Sequence, residues 1–210
     1  MSNNFENISL QIDLDKKEIN KKFKVTADID YNQFIELIIK QAEYYQALNN
    51  KKVGYVIDNK NELLLKKLHY HLNDSSAKKG FFVVGPNGTG KSLTMLSFAS
   101  ICNKIAEASR QPIQRFMKAS NIILNKELDF SRGNLYVDEL GREEVQINTF
   151  GTKSYPILDI IADRYDNGMI THVITNFRKE DLKPKYGNYI IDRFNEMFEF
   201  IEIKGESNRK

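Results

Sequence analysis

Gly80 to Ser92, GFFVVGPNGTGKS, fits the phosphate-binding pattern G-x-x-x-x-G-K-[ST] at Gly85, Gly90, Lys91 and Ser92. The spacing has a chemical reason. Glycines let successive backbone N–H groups turn inward around a polyphosphate, a lysine reaches the outer phosphate oxygens, and a hydroxyl ligates Mg²⁺. The candidate nucleotide-contacting set is therefore Gly85, Pro86, Asn87, Gly88, Thr89, Gly90, Lys91, Ser92 and Leu93. Further along, Leu135-Tyr136-Val137-Asp138-Glu139 is an apolar run ending in two carboxylates. Following a phosphate loop, Asp138 reads as the metal partner of Ser92, and Glu139 as the general base that polarises an attacking water. A third run, Thr171 to Asn176, is β-branched and ends on a polar pair. Asn176 reads either as a side chain that senses the terminal phosphate and orients the water, or as a plain turn after a strand.

These residues need strands that end where the chemistry begins. Phe81 to Val84 reads as a buried strand entering the loop, and Leu93 to Ala108 as a helix leaving it, the context that supports the motif. Ile113 to Ala119 reads as a second strand with a short helical connection to Leu128; Leu135 to Asp138 and Thr171 to Thr175 read as two more, and Phe198 to Ile203 as the last. Between them, Ser154 to Asn167 is a helix with Pro156 in its first turn and Gly168 as its stop. Lys179 to Tyr186 is another, broken by Gly187, and Asn188 to Met197 carries Arg193. Upstream, Asp30 caps an amphipathic helix to Leu48, and a second runs through Leu63, Leu64, Leu65, Leu68 and Leu72. Docking of the first helix within the chain is expected. Residues 1 to 29 alternate weakly, as a strand or two would, and carry Lys16, Lys17, Lys21, Lys22 and Lys24 among carboxylates, which is the pattern of a solvated face. His69 and His71 lack a completing metal set and read as surface or packing residues.

With 210 residues, the chain fits one α/β domain, residues 51–210, behind an extension, residues 1–50, with partner binding as a possible role. Hydrophobic residues at 41% and charged residues at 28% argue against a mainly disordered protein. A net charge of +3 is too small to indicate a nucleic-acid-binding surface, so any DNA contact must be local. The single cysteine, Cys102, excludes an internal disulfide and a cysteine-based zinc site. No run approaches a membrane span and the N-terminus lacks a leader pattern, so a cytoplasmic, non-membrane protein is expected.

Taken together, GPNGTGKS, LYVDELG, THVITN and YGNYIIDRFNEMFEFIEIKGES resemble the AAA+ ATPases of the DnaC and DnaI helicase-loader group, including the related IstB transposition helpers. The resemblance covers about residues 55 to 207. It implies a three-layer P-loop NTPase of AAA+ type with a five-stranded, mainly parallel sheet in the order 5-1-4-3-2. It implies ATP with Mg²⁺ as cofactors, Lys91 and Glu139 as catalytic residues, Ser92 and Asp138 at the metal, and Asn176 as the first sensor. Arg193 is similar to the finger that enters a neighbouring subunit's site, so a homo-oligomer with nucleotide at its interfaces is implied. From the residues alone, pairing of Arg193 with Asp192 or Glu196 on its own helix is the favoured reading. Seventeen residues, 194–210, follow Arg193, so no full C-terminal lid domain is expected and no second-sensor arginine is assigned, Arg209 being a weak candidate.

The implied function is slow ATP hydrolysis in DNA replication, by a loader of the replicative helicase on single-stranded DNA. Two alternatives stay open: an IstB-like regulator whose partner is a transposase, and a switch in which ATP fixes a binding conformation with little turnover. A small-molecule kinase fits less well, because a water-activating Glu139 favours hydrolysis.

Overall fold

The computed structural model describes residues 25–74, 79–109, 113–125, 128–130, 132–143, 147–149, 152–154 and 156–205. The readings made for residues 1–24, including their strands and lysine cluster, lie outside the described residues, as do Glu206, Ser207 and Arg209.

Five strands form one sheet: β1 (Gly80–Val84), β2 (Gln114–Lys118), β3 (Asn134–Asp138), β6 (Thr171–Thr175) and β7 (Phe198–Glu202). Their order is β2-β3-β6-β1-β7, and each neighbouring pair is parallel. Counted within the sheet, this is the expected 5-1-4-3-2. All five residues of β1, β3 and β6 are buried, as central strands covered on both faces should be. Pairing at the β7 edge runs one residue past the strand, where Ile203 N–H donates to Val84 O at 2.7 Å.

The period-two geometry of β1 divides the core. Phe81 and Val83 join Tyr136, Ile174 and Ile201 on one face, and Phe82 and Val84 join Leu135, Val137 and Val173 on the other. The first face is covered by α1 (Tyr31–Leu48), α2 (Glu62–Asn73) and α3 (Lys91–Ser109), through Phe34, Ile38, Leu64, Leu68, Met95 and Phe98. The second is covered by α4 (Ala119–Leu124), α5 (Pro156–Asp166), α6 (Lys179–Tyr186) and α7 (Asn188–Met197), through Ile122, Ile157, Ile161, Leu182 and Phe194. The result is a three-layer α/β domain.

Asp30 caps α1 as expected: its carboxylate accepts from Asn32 N at 2.9 Å and Gln33 N at 3.0 Å. The helix docks in the same chain. Phe34, Ile38 and Ala42 are fully buried, and burying each of the two large side chains contributes about 1.5–3 kcal/mol. His71 packs edge-on to His172, and both rings lie close to Phe81; His69 bonds the Ile29 carbonyl at 2.8 Å. Cys102 is buried. The main departure lies between β3 and α5. An antiparallel hairpin, β4 (Ile147–Thr149) and β5 (Thr152–Ser154), occupies a stretch left unassigned from sequence, so Ser154 ends a strand and α5 begins at Pro156. Among the described residues, no helix is long and apolar enough to cross a membrane.

Candidate nucleotide site

Parallel pairing puts the C-terminal ends of β1, β3 and β6 side by side, and the loops leaving them meet there. The segment Gly85 to Gly90 leaves β1 and runs directly into α3, whose first residues are Lys91 and Ser92. Lys91 is buried, and its ammonium donates to the carbonyls of Gly85 at 2.7 Å and Pro86 at 2.6 Å. Thr89 braces the same turn, donating to Pro86 O at 3.0 Å. Gly90 has φ 87°, in the left-handed region, and a Cβ there would meet nothing within 4 Å. Open space therefore lies over the loop at this point.

Ser92 and Asp138, 46 positions apart, meet across the loop: Ser92 Oγ donates to Asp138 Oδ1 at 2.9 Å. Burial pushes the Asp138 carboxyl above its ordinary range, and the hydrogen bonds from Ser92 and from Glu139 N–H, at 3.0 Å, oppose that push. A cation between these oxygens would relieve the same desolvation. Among the described residues, no group of three His, Cys, Asp or Glu side chains gathers here or elsewhere. Two protein oxygens fit Mg²⁺, which keeps several waters and takes further ligands from phosphates. The residues present thus fit a magnesium nucleotide.

Glu139 follows at φ 59°, a left-handed conformation that costs a residue with a Cβ about 1–2 kcal/mol. Its two carboxylate oxygens face different cations: Oε2 lies 3.0 Å from Lys118 Nζ, and Oε1 lies 3.7 Å from Arg142 Nη1. Sequence reasoning missed both. Lys118 was discoverable in principle, because it ends β2 in register with Asp138. Arg142 lies within LYVDELGRE but outside any phosphate-loop pattern. Asn176 leaves β6 level with Gly85, since Val84 pairs with Thr175. The Thr175 hydroxyl, fully buried, donates to Leu140 O at 2.6 Å and so ties the Asn176 strand end to the acidic turn.

Arg193 stands apart from these groups. Its Nη2 donates to Asp166 Oδ1 at 2.7 Å, and its guanidinium lies 5.7 Å from the ring centres of both Tyr165 and Tyr189. Pairing with Asp192 or Glu196 along its own helix is therefore replaced by pairing across to the end of α5; Glu196 accepts instead from Tyr165 OH at 3.2 Å. That end precedes the start of β6, whereas the loop follows the end of β1. A separate cavity of about 440 Å³, lined by Ile122, Ile160, Phe130 and Arg164 among others, belongs to the α4–α5 side and not to the loop.

No family model matches the chain, and no curated protein matches it by sequence. Solved structures do match. The DnaC helicase loader superposes with a TM-score of 0.55 at 20% identity, over 72% of this chain and 94% of that one. A protein described as a primosome component from Streptococcus pyogenes serotype M3 gives 0.53 at 16%, over 74% of this chain and 85% of the other. The replication initiator DnaA, bound to AMPPCP and single-stranded DNA, gives 0.51 at 13%, over 72% of this chain and 49% of its own. The chain shares the fold of the DnaC helicase loader, a three-layer α/β domain on a five-stranded parallel sheet with a phosphate-loop sequence between its first strand and the helix that follows.

Proposed function

We propose that this protein binds ATP with Mg²⁺ and hydrolyses it slowly as an accessory of DNA replication, acting on a replicative helicase at single-stranded DNA. The Ser92–Asp138 contact carries the nucleotide part of this reading, because it brings the loop hydroxyl within 2.9 Å of the carboxylate at the acidic strand end. Bound Mg²⁺-ATP would supply the phosphoanhydride bond and the charge neutralisation of its terminal phosphoryl group. Lys91 leaves the Gly85 and Pro86 carbonyls for phosphate oxygens. Ser92 and Asp138 would hold the metal. Glu139 accepts the proton of the attacking water, and Asn176, tied to the same turn through Thr175, orients that water. Arg193 serves a neighbouring copy, in keeping with its distance from its own chain's loop. The replication part rests on the fold shared with the DnaC loader, the primosome component and DnaA, all proteins with replication names.

The test is affinity capture of partners from the native cell with Glu139→Gln protein held in ATP. Recovery of a hexameric replicative helicase is expected, and it should disappear with Lys91→Ala protein that remains folded. Recovery of a transposase instead would move the function to transposition; tight ATP binding by folded Lys91→Ala protein would contradict the loop assignment itself.

A further inference from the structure

The turn after β3 is held unusually firmly. Leu140 is buried, donates its N–H to Ile174 O at 3.3 Å and accepts from Thr175 Oγ1. Gly141 N–H donates to the buried Glu143 carboxylate at 2.8 Å, and that carboxylate also takes the Tyr186 hydroxyl. Lys185 pairs with Glu143 at 2.9 Å and donates to the carbonyls of Gly141 and Glu143, at 2.9 and 2.6 Å. The backbone from 140 to 143 is thus fastened to β6 on one side and α6 on the other. Glu139 and Arg142 are the two charged side chains this frame presents near the loop.

Arg142 bridges two parts of the site. Its Nη2 donates to Asn87 Oδ1, within the phosphate loop, at 3.1 Å, while its Nη1 stands 3.7 Å from Glu139. The first is a hydrogen bond and the second is beyond hydrogen-bond range. The side chain is half exposed, beside the phosphate loop.

We propose that Arg142 is a further nucleotide-contacting residue, whose guanidinium turns from Glu139 to the terminal phosphate of a nucleoside triphosphate while Asn87 keeps it at the loop. The proposal rests on the nucleotide-binding function above. Three considerations support it. The guanidinium fork matches phosphate oxygens bidentately, and its link to Glu139 is long enough to be given up at little cost. Lys118 stays on the other oxygen of Glu139, so that carboxylate keeps a partner. Lys91 and Lys118 together balance Asp138 and Glu139, so a triphosphate, even with its Mg²⁺, leaves the site net negative, and Arg142 supplies positive charge against that excess. The same motion frees one oxygen of Glu139 toward the water.

The competing role is a brace that acts only through Asn87. A brace would shape the loop for any nucleotide, whereas contact with the terminal phosphate distinguishes triphosphate from diphosphate. The full chain is titrated with AMPPCP and with ADP, each with Mg²⁺, as wild type, Arg142→Ala and Arg142→Lys. Arg142→Ala should weaken AMPPCP binding by roughly tenfold or more while ADP changes by less than about twofold, with Arg142→Lys between. Its thermal unfolding without nucleotide should match wild type, since Arg142 is half exposed. Equal weakening of both nucleotides, or no weakening of either, overturns the proposal while leaving nucleotide binding intact. A wild type that binds neither overturns the nucleotide-binding function and this proposal together.

Discussion

Asp138 is a buried carboxylate at the end of β3, facing the first turn of α3. It is 7% exposed, its Oδ1 already accepts from Ser92 and from Glu139 N–H, and burial still raises its pKa. Asp138→Asn keeps an oxygen for both hydrogen bonds and removes the charge. The apo protein should therefore unfold at the same temperature or higher, because a buried charge has been replaced by a neutral amide. Turnover with Mg²⁺ should fall at least about a hundredfold, the scale of losing metal stabilisation of transition-state charge. Calorimetry paired with a phosphate-release assay reads both, and wild-type turnover would remove Asp138 from the metal. This residue, with Lys91 and Ser92, was legible in sequence because each occupies a fixed offset from a strand end. Arg142 and Lys118 were not. Their contacts join different loops and strand ends, and no periodicity or spacing rule marks a side chain that reaches across such a gap.

Elements were legible in proportion to their length and burial. The continuous apolar runs of β1 and β3 and the long helices α1 and α3 gave clear patterns, whereas β4 and β5, at three residues each, are too short to alternate visibly. Least legible was how the elements are locked together. Arg164, on α5, is 1% exposed, and donates to Thr171 Oγ1 at 2.9 Å and to the carbonyls of Gly133 and Ile170, both at 2.7 Å, as well as to Phe130 O. Burial pushes its pKa down to about 10, so it stays charged at neutral pH. One side chain thus ties α5 to the starts of β3 and β6. Arg164→Met keeps apolar volume but leaves those carbonyls without their donor, and should cost about 2–5 kcal/mol in denaturant unfolding. Nucleotide affinity of the folded fraction should be unchanged, because the α4–α5 side is separate from the loop. A loss below about 1 kcal/mol would mean that water or neighbouring groups satisfy the carbonyls.

At the scale of the whole molecule, the decisive geometry is the separation of Arg193 from its own loop. Within one chain it is held by Asp166 and flanked by Tyr165 and Tyr189, one of which, Tyr189, is 69% exposed. A cation in that setting can act on a nucleotide only if a second copy brings its loop to this surface, so turnover per chain should rise with protein concentration. Arg193→Ala should bind ATP as wild type does and lose the concentration-stimulated turnover, by up to roughly 10³-fold if the guanidinium meets transition-state charge. The informative experiment mixes this variant with Glu139→Gln protein. Each is inactive for a different reason, and a mixed interface pairs an intact Glu139 with an intact Arg193. Recovery of turnover on mixing requires the two residues to act from different chains. Failure to recover, in a mixture shown by light scattering to co-assemble, would return Arg193 to its partner Asp166 and leave its role as a tie between α7 and α5.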